Sequence, residues 1–175
     1  MHYYIFKGRF QPFHYGHLQI VEKSIALLKN NDVLVLAAMC SFDCSLEIVD
    51  ETFSKKAAEH RLPERNPWGS LIALEAISEI SKQYSNCCKI ITTLMPYPNL
   101  AWPIVKNWFP LNRVWIIPEA GERFDEDKAI FYKKQGERVI RITDDSKISG
   151  RELREYYNNK DMKQFYNVTV KSNSV

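Results

Sequence analysis

Glycine is scarce, with six among 175 residues, about half of the ~7% usual in proteins. A chain this sparing should keep each one for a positive φ or a close backbone approach, so the surroundings of Gly8, Gly16, Gly69, Gly121, Gly136 and Gly150 come first. Charge of one sign is lacking too. The 24 basic and 21 acidic residues leave +3, too little to name a polyanionic partner, and the aromatics are not interleaved with a basic stripe as in nucleic-acid binders. The apolar run Val33 to Cys40 is eight residues long, well short of the roughly 20 that cross a bilayer. MHYYIFKGRF has no signal-type apolar region or cleavage site. Cys40, Cys44, Cys87 and Cys88 show neither CxxC spacing nor a nearby His pair, and are read as reduced thiols of a cytoplasmic protein without a zinc site.

Apolar residues at 45% and charged residues at 26% are globular values, and the length fits one domain. Strands are expected at His2–Lys7, Asp32–Met39, Lys89–Leu94, Arg113–Ile117 and Arg138–Ile142, with Cys87 and Cys88 at the start of the third. Helical periodicity is expected at His17–Leu28, Leu71–Ser81, Leu100–Phe109, Phe124–Gln135 and Ser149–Asn158. Pro103 suits a first turn, and Gly136 suits a helix stop. This alternation predicts an α/β fold, a Rossmann-like parallel five-stranded sheet with helices on both faces. One domain would span 1–168, with 41–64 an inserted loop or lid and 169–175 a frayed tail. Ligands on such sheets bind at the carboxyl ends of the strands.

Strand one runs into Gly8-Arg9-Phe10-Gln11-Pro12-Phe13-His14-Tyr15-Gly16-His17, and a helix follows. A helix N-terminus in that position offers free N–H groups and a positive dipole end. His14 and His17 are three apart, so both rings can serve one ligand. Gly16 leaves the backbone between them bare, and Arg9 adds a forked cation. Zinc fits less well, because zinc proteases space two histidines four apart with a glutamate beside the first.

After strand five comes Lys147-Ile148-Ser149-Gly150-Arg151-Glu152-Leu153-Arg154. Ser149 and Glu152 read as a capping box. Lys147, Arg151 and Arg154 collect at a helix N-terminus, where the dipole disfavours cations, and an anion there would resolve the conflict. From Lys133 to Arg154, seven basic residues face four acidic ones, which suits a small phosphorylated ligand.

GRFQPFHYGH resembles the signature of the HxGH nucleotidyltransferases, in the version of archaeal-type nicotinamide mononucleotide (NMN) adenylyltransferases. ISGRELR is similar to that family's second signature, ISxTxxR, with Arg151 where threonine is usual. The resemblance implies transfer of AMP from ATP to a mononucleotide such as NMN, with Mg²⁺ on the ATP. His14, His17 and Arg154 would be catalytic. Gly8, Arg9, Phe10, Gly16, Lys147, Ser149, Gly150 and Arg151 would bind ATP. Arg65-Asn66-Pro67-Trp68 is similar to an RNPW element that faces substrate, but the Glu-Arg pair that follows it in the family is absent. Asn99 and Trp102 match a segment holding the nicotinamide ring, although Trp102 could equally be core. Trp68, Trp108 and Trp115 are read as core. Other acceptors (nicotinate mononucleotide, phosphopantetheine, or a phosphosugar with CTP) and a non-catalytic nucleotide-binding module stay open, as does homo-oligomerisation. Neither nucleic acid nor membrane is expected as a partner.

Overall fold

The computed structural model describes residues 1–40, 68–98, 101–109, 112–119, 123–145 and 150–169. Five parallel strands, β1 (Tyr3–Gly8), β2 (Val33–Met39), β3 (Lys89–Met95), β4 (Arg113–Glu119) and β5 (Arg138–Thr143), form one sheet in the order β3-β2-β1-β4-β5. The helices are α1 (Tyr15–Ile25), α2 (Ser70–Gln83), α3 (Trp102–Trp108), α4 (Arg123–Lys134), α5 (Gly150–Asn158) and α6 (Met162–Val168). The fold is α/β and Rossmann-like, as the alternation predicts. β2 is buried along its whole length, which is why it reads as an unbroken apolar run rather than an alternating one.

Two apolar layers flank the sheet. Phe6, Leu34, Leu36 and Ile116 pack with Ile20 and Val21 of α1 and Ile77 and Ile80 of α2. Ile5, Val35 and Trp115 pack on the other face with Val105 of α3 and Tyr132 of α4. Each such side chain contributes about 1.5–3 kcal/mol on burial. Trp115 is fully buried and stacks on Tyr132 at 4.0 Å between centroids. Trp108 is 44% exposed, contrary to the core reading, and Trp68 packs beside Tyr157 and Phe165 of α5 and α6 rather than in the main core.

The direction of winding reverses beside β1. From β1 the chain moves outward to β2 and β3, then returns to lay β4 on the other side. Pairing of β1 with β2 continues to Gly8↔Ala38, whereas pairing with β4 stops at Phe6↔Ile116. A crevice therefore opens at Lys7 and Gly8, the type of position where such sheets take ligands.

Several boundaries differ from expectation. α1 begins at Tyr15 because His14 takes the cap position in extended backbone. The third strand begins at Lys89, and the Cys87 and Cys88 amides instead donate to the Tyr84 carbonyl in the preceding turn. Gly136 does stop α4, with φ at +75° and its amide donating to the Lys133 carbonyl. α6 is not anticipated by the periodicity, and Asp161 caps it by accepting from the Gln164 amide. Thr169, placed by the sequence reading at the start of a frayed tail, is buried and forms an antiparallel bridge with His14. The remaining tail, 170–175, and the expected insertion, 41–64, lie outside the described residues. Among the described residues no helix is long and apolar enough to cross a membrane.

Candidate active site

The loop from β1 to α1 is shaped by one aromatic ring. A Cβ on Gly8 would lie 2.8 Å from Phe10 Cε1, so the bare backbone at Gly8 is needed for Phe10. Phe10 itself sits at φ 52° and folds back into the core. Its ring meets Phe6 at 5.4 Å and His17 at 5.0 Å, and Phe13 lies 5.4 Å from His17. The side chain of Phe10 is thus an apolar floor under His17, and not an open contact surface.

On that floor the two imidazoles stack, with centroids 3.7 Å apart and planes at 29°. The His14 backbone N–H donates to His17 Nδ1 at 3.4 Å. Accepting there leaves the His17 proton on Nε2, free to donate to a ligand. Burial pushes the His14 imidazole down to about 4, with Arg154 lowering it further and Asp144 opposing. His17 is pushed well below the usual histidine range, first by desolvation and then by His14, Arg9, Lys128 and Arg154. Both rings are neutral at neutral pH. His17 nevertheless keeps accessible surface, as expected of a desolvated group facing a recess.

The second segment arrives at the same place. A Cβ on Gly150, the first residue of α5, would lie 3.3 Å from Arg154 Nη1 and 3.8 Å from His14 Nε2. Arg154 is buried, and its Nη1 donates to the Gln11 carbonyl at 3.1 Å, a contact across 143 residues of sequence. The starts of α1 and α5, both positive dipole ends, are therefore adjacent. His14 Nδ1 and Gln11 Oε1 are buried and lack a partner among the described residues. Leaving such an atom unmet costs about 1–3 kcal/mol, so both fit a polar ligand or water.

The structure brings together Gly8, Arg9, Phe10, His14, Gly16, His17, Gly150 and Arg154. Gly16 is buried in the first turn of α1, and the charge of Arg9 acts on His17. Arg151 is not among them. Its side chain is 84% exposed and pairs with Glu155 one turn on, Nε to Oε1 3.0 Å, so a helix-surface ion pair accounts for it. Trp102 is half-buried against Trp115, Phe131 and Tyr132 at 5.7–5.9 Å, so its aromatic neighbours are in the α3–α4 layer. Arg65, Asn99, Lys147 and Ser149 lie outside the described residues.

Three neighbouring charged groups escaped the sequence reading. Lys7, at the end of β1, is held down to about 7 by burial, then by the charge of Lys128, with Asp125 opposing. Lys128 pairs with the buried Asp125 at 2.7 Å and also acts on His17. The signal was available, because two-residue alternation puts Lys7 on the same face as Tyr3 and Ile5, an inward place for a cation. Among the described residues no group of three or more His, Cys, Asp or Glu is placed to hold a metal ion. Two neutral N–H donors, two helix starts and four cations can stabilise a multiply charged anion without any covalent step by the protein.

A family model described as cytidylyltransferase-like matches residues 5–62, which include the last four residues of β1, the loop carrying both histidines, α1 and β2. No curated protein matches the chain. A crystal structure of a protein with unknown function from Archaeoglobus fulgidus is similar over 85% of this chain and 94% of its own, at 11% identity and a TM-score of 0.45.

Proposed function

We propose that this chain is a nucleotidyltransferase that moves AMP from ATP to the phosphate of a mononucleotide, with NMN as acceptor and NAD and pyrophosphate as products. The observation that carries the reading is the convergence of His14, Gly150 and Arg154 at the crevice beside β1. The likeness of residues 5–62 to cytidylyltransferase-like proteins supports transfer of a nucleotidyl group, and the choice of ATP and NMN rests on the resemblance of GRFQPFHYGH. An oxygen of the acceptor phosphate forms a bond to the α-phosphorus while the bond from that phosphorus to the bridging oxygen breaks. Pyrophosphate leaves with the electron pair. The attacking oxygen is already anionic, so no protein base is required, and catalysis rests on position and charge.

His17 Nε2–H donates toward the α-phosphate, while Arg154 and the start of α5 hold the departing pyrophosphate. Mg²⁺ on the ATP oxygens would neutralise further charge, and Asp144, whose charge reaches His14, would be the carboxylate to help hold it; one carboxylate plus phosphates is a usual set for this ion.

The cytidylyltransferase-like description favours one second reading, CTP as the donor. Pyrophosphate release should be measured for ATP and CTP against NMN, nicotinate mononucleotide, phosphopantetheine and a phosphosugar. The expected result is turnover with ATP and NMN. Turnover with CTP alone would move the chain to the second reading, and tight nucleotide binding with no pyrophosphate from any pair would make it a binding module.

A further inference from the structure

Lys7 stands apart from the groups assigned to the nucleotide. Phe6 faces the layer holding Phe10 and His17, so alternation turns Lys7 to the opposite face, beside α4. Its ammonium lies 3.9 Å from Met39 Sδ and 5.6 Å from the centre of the Tyr132 ring. Among the described residues it forms no ion pair. A sulfur and an aromatic face are weak partners for an ammonium in a half-buried place. The nearby carboxylate of Asp125 is engaged by Lys128 at 2.7 Å, and the charge of Lys128 also acts on Lys7. A partly buried rim is a costly place for a lysine without a carboxylate partner. Lys7 sits at the strand end where β1 has lost its β4 partner.

We infer that Lys7, backed by Lys128, is the subsite for the phosphomonoester of the acceptor. This rests on the nucleotidyltransferase reading and adds to it the side from which the acceptor arrives. In-line displacement at the α-phosphorus needs attacking and leaving oxygens at opposite ends. His14, Gly150 and Arg154 lie toward one face of the end of β1, and Lys7 and Lys128 lie toward the other. Gly8, next to Lys7, packs on the Phe10 ring that floors His17, so the two halves meet at the end of β1. A phosphate there supplies the missing negative charge and presents its oxygen toward the group held over His17.

The test uses Lys7→Met, which matches the length and the apolar surroundings, and Lys7→Gln, which keeps polarity without charge. Dissociation constants are measured by calorimetry for α,β-methylene-ATP and, with that analogue present, for NMN, nicotinate mononucleotide and phosphopantetheine. In both variants the phosphomonoester bound by the wild type should weaken about tenfold or more, the loss expected for one charge-assisted contact. The analogue should stay within about twofold. Unchanged phosphomonoester binding, or weakening of the analogue alone, overturns the inference and leaves the nucleotidyltransferase reading standing. Wild-type protein that binds the analogue but none of the three phosphomonoesters also overturns it. Wild-type protein that binds no nucleotide overturns both.

Discussion

The starts of α1 and α5 look alike in sequence and are used differently. Each follows a strand, carries a glycine and gathers cations or imidazoles. At α1 both histidines turn inward, stack, and share a hydrogen bond with the backbone. At α5 the two arginines diverge. Arg154 is buried and reaches Gln11, while Arg151, three residues earlier, is exposed and paired with Glu155. A basic residue near a helix start thus counts toward a ligand only if the fold buries it, and 3.6-residue periodicity alone separates positions 151 and 154 too little to decide that. The interior packing decides it: Leu153 and Arg154 are the buried positions of α5.

This contrast can be broken by experiment. His17→Ala is expected to cost most, about 10²- to 10³-fold in kcat, as for loss of one donor to developing charge, measured by steady-state pyrophosphate release. Near wild-type turnover would remove His17 from catalysis. Arg154→Ala should come next, lowering kcat/KM for the nucleotide about 10- to 100-fold. It also loses a hydrogen bond to a charged group worth about 1.5–3 kcal/mol, so melting should fall by several degrees. A rate loss without a thermal shift would mean that the Gln11 contact does not hold the two segments together.

Acid sensitivity is the third effect. His14 titrates near 4 when folded and near 6.5 when unfolded. Between those values the unfolded chain binds the extra proton, so stability rises with pH across the window and is lost as pH falls through it. The loss from this group is about 3 kcal/mol at most, seen as the difference between wild type and His14→Gln in urea unfolding at pH 7 and pH 4.5. An identical drop in both proteins would show that His14 is not desolvated. Arg151→Ala is the smallest, with less than twofold change in rate and within about 0.5 kcal/mol in stability. A tenfold rise in nucleotide KM would return Arg151 to the site and erase the contrast.

Much of the frame was legible because it depends on local patterns. Each expected strand is present within two residues at either end, since short β-branched runs between helical stretches leave little alternative. The two glycine-bearing segments are legible for a similar reason, each joining a strand to a helix through six residues. Residues whose role depends on distant partners were not. Gly8 has to stay bare for the fold-back of Phe10, a demand that spacing alone does not reveal. Trp108 shows that a large aromatic at the end of a short helix can be left outside. Lys7 is not legible because a lysine closing a strand looks like a solvated end until the pairing of β1 with β4 is seen to stop before it. α6 has too few apolar residues to show a period, and Thr169 is fixed by a partner 155 positions away.

That last pairing has a practical side. Shortening the chain to 168 residues, or attaching a reporter directly after Thr169, disturbs the backbone beside the imidazole pair, while a reporter at Met1 starts from the opposite rim of the sheet. Expression formats for assay or crystallisation should therefore keep Thr169 in place, and an inactive preparation cut before it says little about the intact chain.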